Sequence, residues 1–169
     1  IETLNAYRIK EKLPSNIGLF TSPIGKIEIL KEGNDITIIS YGATLQIVLE
    51  ASIELEKFNI SAEVIDIQSL IPFDTSNEIK TSINKTNRLI IVDEDMPGGG
   101  SAYILQQLLD HQKIYNILDS EPKLLSSKEH RPAYGTDGDY FSKPNTNDIF
   151  EEAYKLMNES NPNKYPDIL

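Results

Sequence analysis

The chain has no cysteine. That excludes a disulfide framework, a thiolate nucleophile and any zinc site built on sulfur, and it fits a reducing, cytoplasmic setting. Only two histidines, His111 and His130, are available for acid–base or metal chemistry. No apolar run is long enough to span a bilayer and no signal peptide is visible, so no membrane role is expected. Positive charge is scarce: 16 Lys and Arg stand against 26 Asp and Glu, giving a formal net charge of −10. A surface of that sign repels nucleic acid and anionic lipid and suits partners with basic patches. Because the sequence starts at Ile1, it is read as a piece excised from a longer polypeptide. Its 169 residues suffice for one domain that buries a core without covalent staples.

The hydrophobic pattern is sharp only in the middle of the chain. Residues 1–34 read as a lead-in from a preceding domain, with one short extended stretch at 24–30. The β-branched run Asp35-Ile36-Thr37-Ile38-Ile39-Ser40 predicts a strand covered on both faces. A helix is expected over 43–58, where Leu45, Val48, Ala51, Leu55 and Phe58 fall on one face. Further strands are expected at 62–67 and 88–93, and a fourth around 123–126. Thr75-Ser76-Asn77-Glu78 reads as a capping box opening a short helix with Ile79 and Ile83 inward. A third helix is expected from Ser101 to His111 with Ala102, Leu105, Leu108 and Leu109 inward. Strands starting about every 27 residues with a helix between each pair are the spacing of βαβ units, so the fold is α/β with a largely parallel sheet. Residues 35–130 form this core. Residues 131–169 form a C-terminal extension whose last helix carries Ile149, Ala153, Leu156 and Met157 and stops before Asn161-Pro162.

Candidate chemistry concentrates at one strand end, where Asp93-Glu94-Asp95 meets Pro97-Gly98-Gly99-Gly100-Ser101. Glycines between a strand and a helix can present amides to a phosphate. The dinucleotide spacing fails here, no P-loop lysine follows, and three carboxylates would repel the anion. The alternative is that the glycines let the helix start close to the sheet and permit positive φ. The three acids could form a general acid or a metal site, or a solvated patch that pairs with basic groups. Ser101 lacks the second glycine of a nucleophile elbow. Asp137-Gly138-Asp139 reads as a turn. Residue by residue, no catalytic centre is assembled.

Several motifs, taken in order, do point to a family. They are Gly33-Asn34-Asp35 running through Ile36 to Gly42, Glu63-Val64-Ile65-Asp66-Ile67-Gln68 running through Ser69 to Asp74, Ser82 to Arg88, and the Val92-Asp93-Glu94 strand end. The chain resembles the transketolase C-terminal domain, in the form found in the beta-subunit portion of thiamine-dependent 2-oxo acid dehydrogenases of the pyruvate or branched-chain type. The resemblance implies a three-layer α/β/α domain with a five-stranded mixed sheet, mostly parallel with one antiparallel strand. It implies a parent enzyme that decarboxylates a 2-oxo acid on thiamine diphosphate and Mg²⁺ within a multienzyme complex. Neither cofactor is expected on this fragment, which should lack catalytic residues and serve subunit assembly and docking. The implied partners are the remaining domains or alpha subunit, and the subunit-binding domain of the lipoyl acyltransferase. Asp119, Glu121 and Glu94 are the acidic candidates for that docking. His130, Arg131, Tyr134 and Tyr140 are candidates for an active-site rim or an interface. A rival reading is a free-standing flavodoxin-like module that binds a nucleotide at the Gly98–Gly100 loop.

Overall fold

A computed structural model describes residues 7, 10, 12–131, 134 and 138–168. Runs of isoleucine and valine build a five-stranded sheet in the order β1-β3-β2-β4-β5. Its strands are β1 (Glu28–Lys31), β2 (Ile36–Ser40), β3 (Ala62–Asp66), β4 (Leu89–Val92) and β5 (Lys123–Leu125). Strands β3, β2, β4 and β5 run parallel. The edge strand β1 pairs antiparallel with β3, Glu28 opposite Asp66 and Ile29 opposite Ile65. This strand falls within the segment read from sequence as lead-in, and it supplies the one antiparallel member of the mixed sheet.

Period-two alternation within the buried strands divides the core into two layers. Ile36, Ile38, Val64, Ile90 and Val92 face α1 (Thr44–Glu56), through Val48, Ala51 and Leu55. The same layer includes α5 (Thr146–Ser160), with Ile149, Ala153, Leu156 and Met157 buried. On the opposite face Ile39, Ile65, Leu89 and Ile91 meet Ile79 and Ile83 of α2 (Glu78–Thr86). They also meet Ile104 of α3 (Gly100–Gln106) and Leu108 in the π turn, Gln107–His111, that continues it. Ala102, Leu105 and Leu109 of the expected inner face are only half-buried, whereas Ile104 is fully buried. Phe58 is 40% exposed, yet its ring lies against Phe150 and Tyr154 of α5 at 5.2 and 5.5 Å between centroids.

Two local expectations need correction. The first turn of α2 is not capped by Thr75. The buried Asp74 accepts from the Glu78 and Ile79 amides at 3.0 and 2.9 Å, while the Thr75 hydroxyl donates to the Gly25 carbonyl. A carboxylate four residues upstream reaches those amides because Asn77 takes a left-handed backbone, φ 54°, which bends the chain back over the helix start. The capping box lies at α5 instead, between Asn145 and Asp148. The second correction concerns Gly138, expected in a turn, which opens the short helix α4 (Gly138–Ser142). Asp137 lies outside the described residues.

Candidate functional site

In an open α/β sheet the binding crevice lies beyond the carboxyl ends of the strands, where successive connections leave for opposite layers. Here β2 leads to α1 on one face and β4 leads to α3 on the other, so the crevice lies between Ser40-Tyr41-Gly42 and Asp93-Glu94-Asp95. The protein's own side chains fill it. Asp93, 1% exposed, accepts from the Tyr41 hydroxyl at 2.8 Å, the Asp95 amide at 3.1 Å and the Ser101 amide at 2.8 Å. The Ser101 amide is the helix-start donor that a phosphate would need. Burial pushes the Tyr41 phenol above its ordinary range, and the hydrogen bond to Asp93 with the charges of Asp93, Asp95 and Glu94 adds to this. Tyr41 therefore remains a donor to Asp93 at all physiological pH values.

The glycines serve this closed arrangement. Gly98 has φ +92°, a conformation costly for other residues. A Cβ on Gly100 would stand 2.4 Å from the Tyr41 hydroxyl oxygen, and one on Gly99 would stand 2.5 Å from an Asp95 carboxylate oxygen. The three acids do not converge. Asp93 points into the crevice, Asp95 folds over Gly99, and Glu94 pairs with Lys143 at 3.1 Å. Among the described residues no group of three or more His, Asp or Glu is placed to hold a metal ion. Ser101 donates no proton to a histidine; its hydroxyl lies 3.2 Å from that of Ser126.

Two open clefts flank the crevice. One, of about 640 Å³, is lined by Thr44 and Ile47 of α1, Glu94, Tyr140, Lys143 and Asn145. The other, of about 750 Å³, is lined by Ser22, Tyr41, Asp66, Gln68, Leu70 and Ile71. Burial raises the Asp66 carboxyl above the usual range, opposed by the Gln68 amide and helped by the Glu28 charge.

The proposed docking acids do not form one patch. Asp119 pairs with Arg88, whose guanidinium also donates to the Asp35 carbonyl, so it sits at the amino end of the sheet. Glu121 lies at the same end, where Lys123 pairs with it at 2.7 Å and holds its carboxyl below the usual range. Glu94 lies past the other end of β4, about 20 Å away at the rise of an extended strand. Of the four rim candidates, Arg131 and Tyr134 are in contact, while His130 and Tyr140 have separate surroundings. The Arg131 guanidinium lies over the Tyr134 ring at 5.0 Å and donates to its hydroxyl. The His130 ring lies tilted against that of Phe141, with 5.7 Å between centroids, and Tyr140 belongs to the first cleft. Sequence reasoning placed Tyr41 within the family motif that ends at Gly42 and did not anticipate its bond to Asp93. It also missed the contact network of Glu63, although its position among the apolar Ala62, Val64 and Ile65 of β3 was a visible signal of burial, if not of its partners.

Comparison with known proteins settles the family. Residues 25–139 match the family model for the transketolase C-terminal domain. The chain belongs to that family. Its curated relatives include a pyruvate dehydrogenase E1 component subunit beta from Mesostigma viride, 34% identical over 157 residues, covering 93% of this chain and 47% of the relative. The acetoin:2,6-dichlorophenolindophenol oxidoreductase subunit beta of Bacillus subtilis (strain 168) is 37% identical over 131 residues, covering 78% of this chain and 37% of the relative. The chain thus spans less than half the length of these relatives. Among solved structures, a split-gene transketolase described as an inactive beta4 tetramer superposes with a TM-score of 0.68 at 23% identity, over 87% of this chain and 45% of that one. A transketolase mutant from Pichia stipitis gives 0.52 at 16% identity, over 78% and 18%. Both show the shared fold of this transketolase C-terminal domain.

Proposed function

We propose that this transketolase C-terminal domain is the assembly and docking part of the beta portion of a 2-oxo acid dehydrogenase. The parent enzyme would decarboxylate pyruvate or a branched-chain 2-oxo acid on thiamine diphosphate and Mg²⁺, oxidatively, in a cytoplasmic multienzyme complex. The E1 beta relatives, aligned over 93% of the chain, support the parent. The observation that carries the domain's role is the filled crevice: Asp93 occupies the place at the Ser101 amide where a ligand would bind. Thiamine diphosphate does not fit these residues, because Asp93, Glu94 and Asp95 present charge of the diphosphate's own sign. The nucleotide-binding alternative at Gly98–Gly100 meets the same obstacle. The cofactor is therefore assigned to parts of the parent that this chain does not contain. No helix among the described residues is long and apolar enough to cross a membrane.

The docking role rests on acidic groups meeting a basic subunit-binding domain of the lipoyl acyltransferase. Desolvated interfacial charge pairs lose about 2–5 kcal/mol when one partner is truncated. Calorimetry of this domain against that subunit-binding domain should show binding, and the double variant Asp119→Ala, Glu121→Ala should weaken it by about tenfold or more. Unchanged affinity removes Asp119 and Glu121 from the interface. Binding of thiamine diphosphate with Mg²⁺ to this domain alone would sink the assignment of its role.

A further inference from the structure

The folded unit has a sharp start. Gly25 is buried with φ +81°, and a Cβ there would stand 2.9 Å from both Pro72 and Thr75. Its carbonyl accepts from the Thr75 amide at 2.9 Å and the Thr75 hydroxyl at 3.1 Å, and Lys26 pairs with Glu78 at 3.0 Å. The family match also begins at residue 25. Every residue from 12 to 24 is exposed, although five of them are large and apolar. Leu13 is 79% exposed, Ile17 56%, Leu19 84%, Phe20 69% and Ile24 80%. At the rim of the 750 Å³ cleft, which Ser22 of the same arm also lines, Ile71 is 82% exposed. Together these six residues present on the order of 900 Å² to water, comparable with the roughly 800 Å² per partner of a standard interface. Scattered apolar side chains are ordinary on a surface, but five within thirteen residues of an arm that reaches an open cleft at Ser22 mark a binding face.

We propose that residues 12–24 and the Leu70-Ile71 rim of the cleft form one docking surface, and that its occupant is the half of the parent subunit this chain lacks. The inference rests on the proposed parent and adds the surface through which its two halves meet. Two observations select that occupant. The curated relatives are about twice the length of this chain, so they contain a body of matching size. The arm is anchored on the domain at Gly25, so an apolar segment held at the domain boundary lies where such a body would rest. The surface is also sparse in charge, with no acidic residue between Leu13 and Ile24, in a chain of net charge −10. Apolar contact, not ion pairing, therefore drives the association.

The test compares the triple variant Leu19→Ser, Phe20→Ser, Ile71→Ser with the unaltered sequence, both in this 169-residue chain and in the full-length parent subunit. In the chain alone the thermal midpoint should move by no more than about 1 °C, since none of the three side chains is buried. In the full subunit, limited proteolysis between the halves should accelerate about tenfold, because opening the contact becomes easier. Equal cleavage rates in the full subunit overturn the proposal. It is likewise overturned by a dimer of the isolated chain that the variant dissolves while cleavage of the full subunit is unchanged; the face would then belong to a second copy. Turnover of 2-oxo acids by the unaltered full subunit is read separately. An inactive subunit that still shows accelerated cleavage in the variant sinks the assigned reaction and supports the interface.

Discussion

Replacing Glu63 with glutamine should destabilise the domain strongly, and in a manner that depends on pH. Glu63 sits near the amino end of β3, an interior strand between β1 and β2, with 0% exposure. One carboxylate oxygen accepts from the Gly33 amide at 3.2 Å and from the Lys85 ammonium, and the other accepts from the Ser82 hydroxyl. The group thereby ties β3 to α2 and to the turn before β2. Burial alone would raise its pKa, but the bonds from Lys85, Ser82 and Gly33 outweigh burial and hold the carboxyl below its ordinary 4.5. Glutamine keeps the shape and loses the charge: its carbonyl oxygen can still accept from Lys85 and Gly33, but its amide nitrogen then faces Ser82, whose hydroxyl must turn from donor to acceptor, and the ion pair with Lys85 is gone. Removing one member of a buried pair costs about 3–5 kcal/mol. Lys85 is 37% exposed and can turn to Glu32, so the lower part of that range, about 3 kcal/mol, is expected. For a chain of this size that is a fall of about 6–12 °C in the thermal midpoint at pH 7. The pH dependence has a definite sign. A depressed carboxyl pKa contributes stability above the unfolded value and loses it as pH falls through the folded value. The gap between wild type and Glu63→Gln should therefore be constant from pH 7 down to about 5 and shrink below about 4.5. Thermal melts followed by circular dichroism at several pH values measure it. A variant melting within about 1 °C of wild type at pH 7, or a gap that widens on acidification, refutes the reasoning.

Gly100→Ala should cost about 1–3 kcal/mol by forcing its Cβ against the Tyr41 hydroxyl, and Tyr41→Phe in the same chain should recover part of the loss. Urea denaturation of the single and double variants reads this out, and additive losses would mean that the clash is not with Tyr41. Arg131→Ala breaks the contact with Tyr134 and should leave the stability of this domain within about 0.5 kcal/mol, because both residues are exposed. In the parent enzyme the same change should lower kcat/KM or subunit assembly; unchanged kinetics and assembly would leave Arg131 an ordinary surface residue.

Much of the fold was visible in the residues because buried parallel strands leave a dense apolar signature. Ile36 to Ile39 and Leu89 to Val92 could be placed to within a residue, since few other structures accept so many β-branched side chains in a row. β1 was weaker, because an edge strand whose residues are mostly exposed carries no such run. The cap of α2 was mislocated for a different reason. Thr75 and Glu78 have the spacing of a capping box, yet the tertiary positions of Asp74 and Gly25 drew the hydrogen bonds elsewhere.

What the sequence determined by itself was the layer architecture and the family, because both follow from the order of local patterns along the chain. What only the tertiary structure decided was the use of the polar groups. Asp93 could have been a ligand-binding acid or a structural one until the Ser101 amide and the Tyr41 hydroxyl were seen to close on it. Glu63 was one acid among 26 until Lys85, Ser82 and Gly33 were seen to converge on it from three separate segments. Apolar burial can be read from periodicity because it is non-directional and nearly additive over area. A hydrogen bond depends on angstrom-scale placement of residues distant in sequence, and no local pattern encodes that.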